Sequence, residues 1–459
     1  MDEREKLIKI LSKIPKEILI NCYKQLTDCI SRSKLPLRDY QKKVVKFIME
    51  PTNSSLLVVW ATGLGKTLTA LTATQCYLDK YPNNKVVIIS PKTLTENFPN
   101  EMIKYGGVID PKKYEFFSFT KFSSINKNDS YSCENNMVII DEAHNLRNMT
   151  QRYESVYNCV KNSRKLLLLT ATPFINKLSD FVSLITLLYR NKHILADTKQ
   201  KIPKIIKPTD EVKTYKSLST LLKNKVIFQD DKSSVDYPQV FVHDIVNLMS
   251  ENYFNKYARA LKVENEFGDD PETFFNGFRR AVNAVGADEY VNQKINSIMD
   301  IVKNGKQTLI YSNWLEAGVD VITRTLDNNF IKYGVISGEV TLTRTRMRIV
   351  DEFNSKEIQV LIITMAGAEG IDLRGTRQII ILDPPWNNAM FEQIIGRGIR
   401  YRSHEHLPLE ERRVDVYRLI LESKSKRIPS GDELLYDIIE KKKKIYEKVR
   451  EILINASIK

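Results

Sequence analysis

The sequence predicts an α/β protein of two units, each with a parallel sheet, plus an N-terminal and a C-terminal helical segment. Two observations carry this. Short runs rich in Val, Ile and Leu occur at Ser55–Trp60, Lys85–Ser90, Met137–Asp141 and Lys165–Thr170, and again at Thr308–Ser312, Lys332–Ser337, Val360–Thr364 and Gln378–Asp383. Each run ends in a polar or turn cluster and alternates with helix-like stretches, as strands buried on both faces do. The alternation lapses between the two series, where Pro203-Lys204, Lys207-Pro208 and the polar stretch Asp230–Ser234 occur. The expected divisions are a helical segment over 1–34, a first unit over 35–200, a connector or small insertion over 201–245, a second unit over 246–423, and a C-terminal helix over 424–459.

The outer elements follow from periodicity. Leu7, Ile8, Leu11 and Ile14 have helical spacing, as do Leu435, Ile438, Ile439, Ile445, Val449 and Ile452 in the tail. The Lys441–Lys444 block is read as a solvated face.

Composition narrows the function. The chain has 459 residues, with 42% hydrophobic and 27% charged, which excludes collagen-like and wholly disordered classes. No apolar run approaches the ~18–20 residues that span a bilayer, and the start has no signal-peptide core. A cytoplasmic, non-secreted protein with no membrane contact is expected. Lys plus Arg number 70 against 56 Asp plus Glu, a net charge of +14 that favours polyanion partners such as nucleic acid. The five cysteines lack C-x-x-C spacing and are expected as free or buried thiols. The five histidines form no metal cluster, and His404-Glu405-His406 reads as a polar loop.

A phosphate site stands after the first strand. Ala61-Thr62-Gly63-Leu64-Gly65-Lys66-Thr67 follows branched residues and precedes a helix-like stretch. Glycines let backbone N–H groups curl around a phosphate, and the helix N-terminus adds its positive end. Thr62, Gly63, Leu64 and Gly65 form the cradle, Lys66 reaches the β- and γ-phosphates, and the Thr67 hydroxyl binds Mg²⁺. Trp60 stands where the longer P-loop pattern has glycine, and it is expected in the core.

The second chemical group is Val138-Ile139-Ile140-Asp141-Glu142-Ala143-His144. Asp141 at a strand end is expected to hold Mg²⁺ through water. Glu142 is expected to orient and deprotonate the attacking water, the strand step turning the two carboxylates apart. Asn126-Lys127-Asn128-Asp129 matches a guanine-reading pattern, but it precedes the carboxylate strand and lies among Ser and Asn. ATP is therefore favoured over GTP.

The sequence 393–400 reads QIIGRGIR. Arg397 and Arg400 are three apart, which on a helix puts both on one face. Planar guanidiniums suit the charge that spreads over γ-phosphate oxygens in the transition state.

The ordered set resembles superfamily 2 helicases and translocases. GLGKT (63–67), DEAH (141–144), TATP (170–173) and QIIGRGIR resemble motifs I, II, III and VI, over about residues 35–423. Leu37–Gln41 resembles the glutamine motif, ISPKT (89–93) motif Ia, LIYSN (309–313) motif IV and 364–373 motif V. DEAHNLRN and the stretch 383–404 are similar to the Swi/Snf-like ATPases of nucleocytoplasmic large DNA viruses, of the poxvirus nucleoside triphosphatase I and early transcription factor small-subunit type. The resemblance implies two RecA-like lobes and nucleic-acid-dependent ATP hydrolysis, DNA-dependent and serving viral transcription. It implies that Gln41 reads adenine and that Gly370 and Asp372 belong to the nucleotide site. Lys92, Thr93, Ser312 and Thr364 are implied to touch the DNA or RNA backbone. Thr170 and Thr172 are implied to link the ATP site to the polynucleotide groove. An RNA polymerase or other transcription proteins are implied as partners, and a virus factory or virion as a setting. A duplex-unwinding RNA helicase is the alternative. A binding subunit with a decayed nucleotide site is disfavoured, because Lys66, Thr67, Asp141, Glu142, Arg397 and Arg400 are all present.

Overall fold

The computed structural model describes residues 29–104, 110–127, 130–173, 178, 180–190, 211–230, 236–267, 277–285, 293–340, 343–365, 371–386 and 388–458. Residues 1–28 of the expected N-terminal segment and residues 366–370, with Gly370, lie outside the described residues. The chain forms two compact units. One comprises residues up to Ala61, Gly65–Asp230 and Glu451 onward; the other comprises Thr62–Leu64 and Asp231–Arg450.

The first unit runs α1 (Asp39–Met49), β1 (Ser55–Trp60), α2 (Lys66–Lys80), β2 (Val86–Ser90), α3 (Lys92–Lys104), β3 (Tyr114–Ser118), α4 (Phe119–Ile125), β4 (Met137–Ile140), α5 (Gln151–Val160), β5 (Lys165–Thr170), α6 (Asp180–Leu188), α7 (Glu211–Leu222) and β6 (Val226–Gln229). Its six strands are parallel, in the order β3-β2-β4-β5-β1-β6. Every residue of β1, β2, β4 and β5 is buried, which is why these strands read as unbroken apolar runs. Because β5 lies between β1 and β4, the loop after β1, the carboxylates after β4 and the end of β5 emerge side by side. Ligands of open parallel sheets gather at that edge.

Two buried cations brace the opposite edge. Lys165 Nζ donates to the carbonyls of Glu50 and Asn53, each at 2.5 Å. Arg190 donates to the carbonyls of Val160 and Ser54 at 2.7 and 3.0 Å. Each cation ties carbonyls from elsewhere in the chain to its own segment.

The second unit runs β7 (Gln239–Leu248), α8 (Glu251–Phe267), α9 (Gln293–Val302), β8 (Thr308–Tyr311), α10 (Asp320–Asp327), β9 (Tyr333–Ile336), α11 (Thr343–Asn354), β10 (Val360–Ile363), β11 (Gln378–Ile381), α12 (Asn388–Gly398) and β12 (Arg413–Glu422). It also holds most of α13 (Gly431–Ala456). Its sheet is again six-stranded and parallel, in the order β7-β12-β11-β8-β10-β9. Both faces are covered. Leu309, Tyr311, Leu361, Ile363, Ile379 and Ile381 pack with Phe353 and Ile394 on one side. Ile310, Ile362 and Ile380 pack with Ile298 and Ile322 on the other.

Three expectations change. The 201–245 stretch supplies a strand to each sheet, β6 to the first and the start of β7 to the second, rather than acting only as a connector. Four strands escape the sequence reading: β3, β6, β7 and β12. The cysteines are not all free, because Cys29–Cys76 and Cys133–Cys159 are joined, with Cα separations of 5.2 and 4.9 Å. Sequence separations of 47 and 26 residues hide such pairs until the chain is folded.

Candidate functional site

The loop between β1 and α2 has the backbone that a phosphate cradle needs. Gly63 and Gly65 take φ of +90° and +80°, where a side chain would be strained. A Cβ on Gly65 would also collide with Gln41 Nε2, so the glutamine amide packs directly on the loop. Gln41 is 4% exposed and its Oε1 accepts from the Arg38 amide at 2.8 Å, which fixes the amide's direction. Gly65 caps α2, and the first turn of α2 carries no acidic residue, so its N-terminal field is left for an anion. Lys66 Nζ donates to the Trp60 carbonyl at 3.0 Å. Trp60 is fully buried and meets Tyr40 edge-on, ring centroids 4.9 Å apart. It is a core residue.

Asp141 follows β4 directly, and its amide donates to the Ile89 carbonyl at 2.9 Å. Its Oδ1 accepts from the Glu142 amide at 3.0 Å. Burial, then the neighbouring Glu142 charge, pushes the Asp141 carboxyl up to about 7, and Lys66 acts against that rise. Glu142 has φ +50° and ψ 51°, a left-handed conformation rare outside glycine. This turn, and not a strand step, separates the two carboxylates, because β4 has ended at Ile140. Backbone strain of this kind collects at functional sites.

A short 3-10 turn, Ala143–Leu146, then presents His144. Its Nδ1 lies 3.1 Å from Thr170 Oγ1, 3.4 Å from Thr172 Oγ1 and 3.3 Å from Glu142 Oε2. The Thr172 amide donates to Thr170 Oγ1 at 3.0 Å. One imidazole thus joins the carboxylate turn to the end of β5. Sequence places His144 only within the DEAH resemblance and assigns the link to Thr170 and Thr172; that the imidazole is their partner shows only in the fold.

In the second unit, α12 ends at Gly398, so Arg397 lies in its last turn and Arg400 beyond it. The expected shared helical face does not form. A Cβ on Gly398 would come within 3.0 Å of the Thr376 side chain, and the chain leaves the helix there. Arg400 Nη2 donates to the Ile371 carbonyl at 2.8 Å, and its Nη1 lies 3.5 Å from Asp372 Oδ1.

Two of the residues implied to touch nucleic acid are buried. Ser312 is fully enclosed and donates to Asp383 Oδ2 at 2.7 Å; Thr364 is 7% exposed. Asp383 also accepts from the Asn313 amide at 2.7 Å and from Asn283 Nδ2. Lys294 Nζ donates to Asn283 Oδ1 at 3.2 Å and to buried Asp432 at 2.6 Å. Lys92 is exposed at the start of α3. The side chain of Thr93 lies outside the described residues. The second-unit network has no sequence signature, since its members come from five separate segments.

A glycine-rich phosphate loop, a paired carboxylate turn and a hydroxyl link on neighbouring strands define the class: an ATP hydrolase of the helicase type. Family models agree. Residues 34–175 match the type III restriction enzyme res subunit, 113–312 the SNF2-related domain and 293–402 the helicase conserved C-terminal domain. A protein of Acanthamoeba polyphaga mimivirus named as an ATP-dependent RNA helicase is 30% identical over 445 residues, covering 92% of this chain and 97% of the relative. The killer plasmid pGKL-2 helicase of Kluyveromyces lactis is 27% identical, covering 88% of this chain and 66% of the relative. Nucleoside triphosphatase I of Choristoneura biennis entomopoxvirus is 24% identical, covering 95% and 81%. The chain belongs to the superfamily 2 helicases and translocases, and is similar to the Swi/Snf-like ATPases of large DNA viruses. It is an ATP hydrolase of a nucleic-acid-binding family. Among the described residues, no helix is long and apolar enough to cross a membrane.

Proposed function

We propose that the chain is a DNA-dependent ATPase that translocates along a polynucleotide in the service of viral transcription, with an RNA polymerase or other transcription proteins as partners. The observation that carries the reading is the His144 link between the carboxylate turn and the Thr170–Thr172 segment. It gives hydrolysis a direct mechanical connection to a neighbouring strand end. Lys66 and the start of α2 bind the phosphates, Gln41 faces the adenine, and Glu142 takes the proton of the attacking water. Arg397 neutralises charge on the γ-phosphate, while Arg400 and Asp372 brace each other. The Thr67 hydroxyl and the Asp141 carboxylate are hard oxygen donors, a set that fits Mg²⁺. When bound, that ion would screen the phosphate charge. Lys92 remains the exposed candidate for a backbone phosphate, and Ser312 and Thr364 act from within the fold.

The test is steady-state ATP hydrolysis with single- and double-stranded DNA and RNA over a range of salt. DNA is expected to stimulate most, with stimulation falling steeply as salt rises. No stimulation by any polynucleotide refutes the reading. The mimivirus relative's name favours a second reading, an RNA helicase. RNA-selective stimulation together with strand displacement would select it.

A further inference from the structure

The guanidinium of Arg279 lies between two indole rings. Its Cζ is 5.0 Å from the Trp314 ring centroid and 4.2 Å from that of Trp386. Arg280 also lies over Trp314, at 4.9 Å. Arg279 is 2% exposed, and its Nε and Nη2 are buried with no hydrogen-bond partner. The backbone here is held as well. A Cβ on Gly431 would come within 2.7 Å of the Phe278 carbonyl and 3.1 Å of the Arg279 amide, so the start of α13 rests directly on this segment.

Burying a guanidinium whose N–H groups are not all satisfied is unfavourable, and the charges of buried Asp383 and Asp432 offset only part of that cost. What arginine alone supplies is a flat cation with two faces, each attracted to an aromatic ring. The rings belong to different loops. Trp314 follows β8 and Trp386 follows β11, and these strands are adjacent, with Tyr311 opposite Ile381. Asp383 already ties the bases of the two loops through Ser312 and Asn313. Arg279 ties their far ends. Trp386 keeps 36% of its surface exposed at the rim.

We infer that Arg279 is a positioning residue, holding loops 312–314 and 383–386 as one rigid edge that receives the polynucleotide. The inference rests on the proposed nucleic-acid-dependent activity. Without the clamp, each loop must be ordered separately when the strand binds, and affinity for the strand falls. The rate once the strand is bound changes little.

The test compares the wild-type chain with Arg279→Met and Arg279→Lys. ATPase rate is measured against the concentration of a single DNA oligonucleotide, together with tryptophan emission and thermal midpoint. Arg279→Met keeps length and apolar packing. It is expected to raise the half-stimulating DNA concentration by about tenfold while the rate at saturating DNA stays within about twofold. Arg279→Lys keeps the charge without the planar faces and is expected to fall between. Emission changes in both variants, because two of the three tryptophans sit in the clamp. A folded Arg279→Met or Arg279→Lys protein with wild-type half-stimulation overturns the inference. A wild-type protein that DNA and RNA both fail to stimulate overturns the parent reading, and this inference with it.

Discussion

His144 Nδ1 stands 3.1 Å from the Thr170 hydroxyl, so the turn that carries Asp141 and Glu142 and the end of β5 share one hydrogen-bonded imidazole. The two segments are 26 residues apart in sequence. Under the proposed function, a shift of the carboxylate turn would reach β5 through this imidazole.

His144→Ala removes that link without touching the phosphate loop. The expected result is retained ATP binding, with stimulation by polynucleotide reduced at least about tenfold. Nucleotide affinity by fluorescent analogue and ATPase with and without DNA check it. Full stimulation in the variant would refute the coupling role.

Lys66 and Glu142 are expected to fail differently. Lys66→Ala loses hydrolysis together with phosphate binding. Glu142→Gln keeps size and hydrogen bonding but cannot accept a proton, so turnover is expected to fall by about a hundredfold or more while ATP still binds. Equilibrium binding beside single-turnover hydrolysis separates the two outcomes.

The two arginines near the end of α12 are expected to divide between chemistry and scaffold. Arg400→Ala loses a charged hydrogen bond to the Ile371 carbonyl and the Asp372 contact. A fall of a few degrees in thermal midpoint is expected, about 2–4 °C. Arg397→Ala is expected to lower turnover by about a hundredfold or more, out of proportion to any change in midpoint. Calorimetry and ATPase on both variants decide between this division and equal roles.

Thiol counting tests the cysteine pairs. The chain has five cysteines, and four are joined in two pairs. Denatured but unreduced protein is expected to react as a single thiol, and reduced protein as five. Five thiols before reduction would show that the pairs do not form.

What was legible in the sequence depended on where each strand lies. Ser55–Trp60 and Lys165–Thr170 coincide with β1 and β5, because strands buried on both faces leave a continuous apolar signature. β7 is an edge strand with exposed outer positions. In β12, Arg413, Asp415 and Arg418 interrupt the apolar residues, since they pair with each other or with β7. Neither leaves an unbroken run. The phosphate loop and the carboxylate turn were legible because their chemistry is local. The clasp of Ser312, Asn283, Lys294 and Asp432 was not, because buried polar groups find partners only once distant segments meet. The same limit hid the end of α12: helical spacing put Arg397 and Arg400 together, and the helix ends between them at Gly398, which lies against Thr376.

The border of the first sheet has a consequence for how the molecule is made. Ser457 bridges to Val226, and the Phe228 amide donates to the Ser457 hydroxyl across 229 residues. During synthesis, β6 must wait with an open flank while the whole second unit emerges from the ribosome. Contacts that span so much chain form slowly, and an unpaired strand edge invites neighbours in the meantime. Nascent chains stalled before residue 457 should therefore be the species most prone to clump or to recruit chaperones.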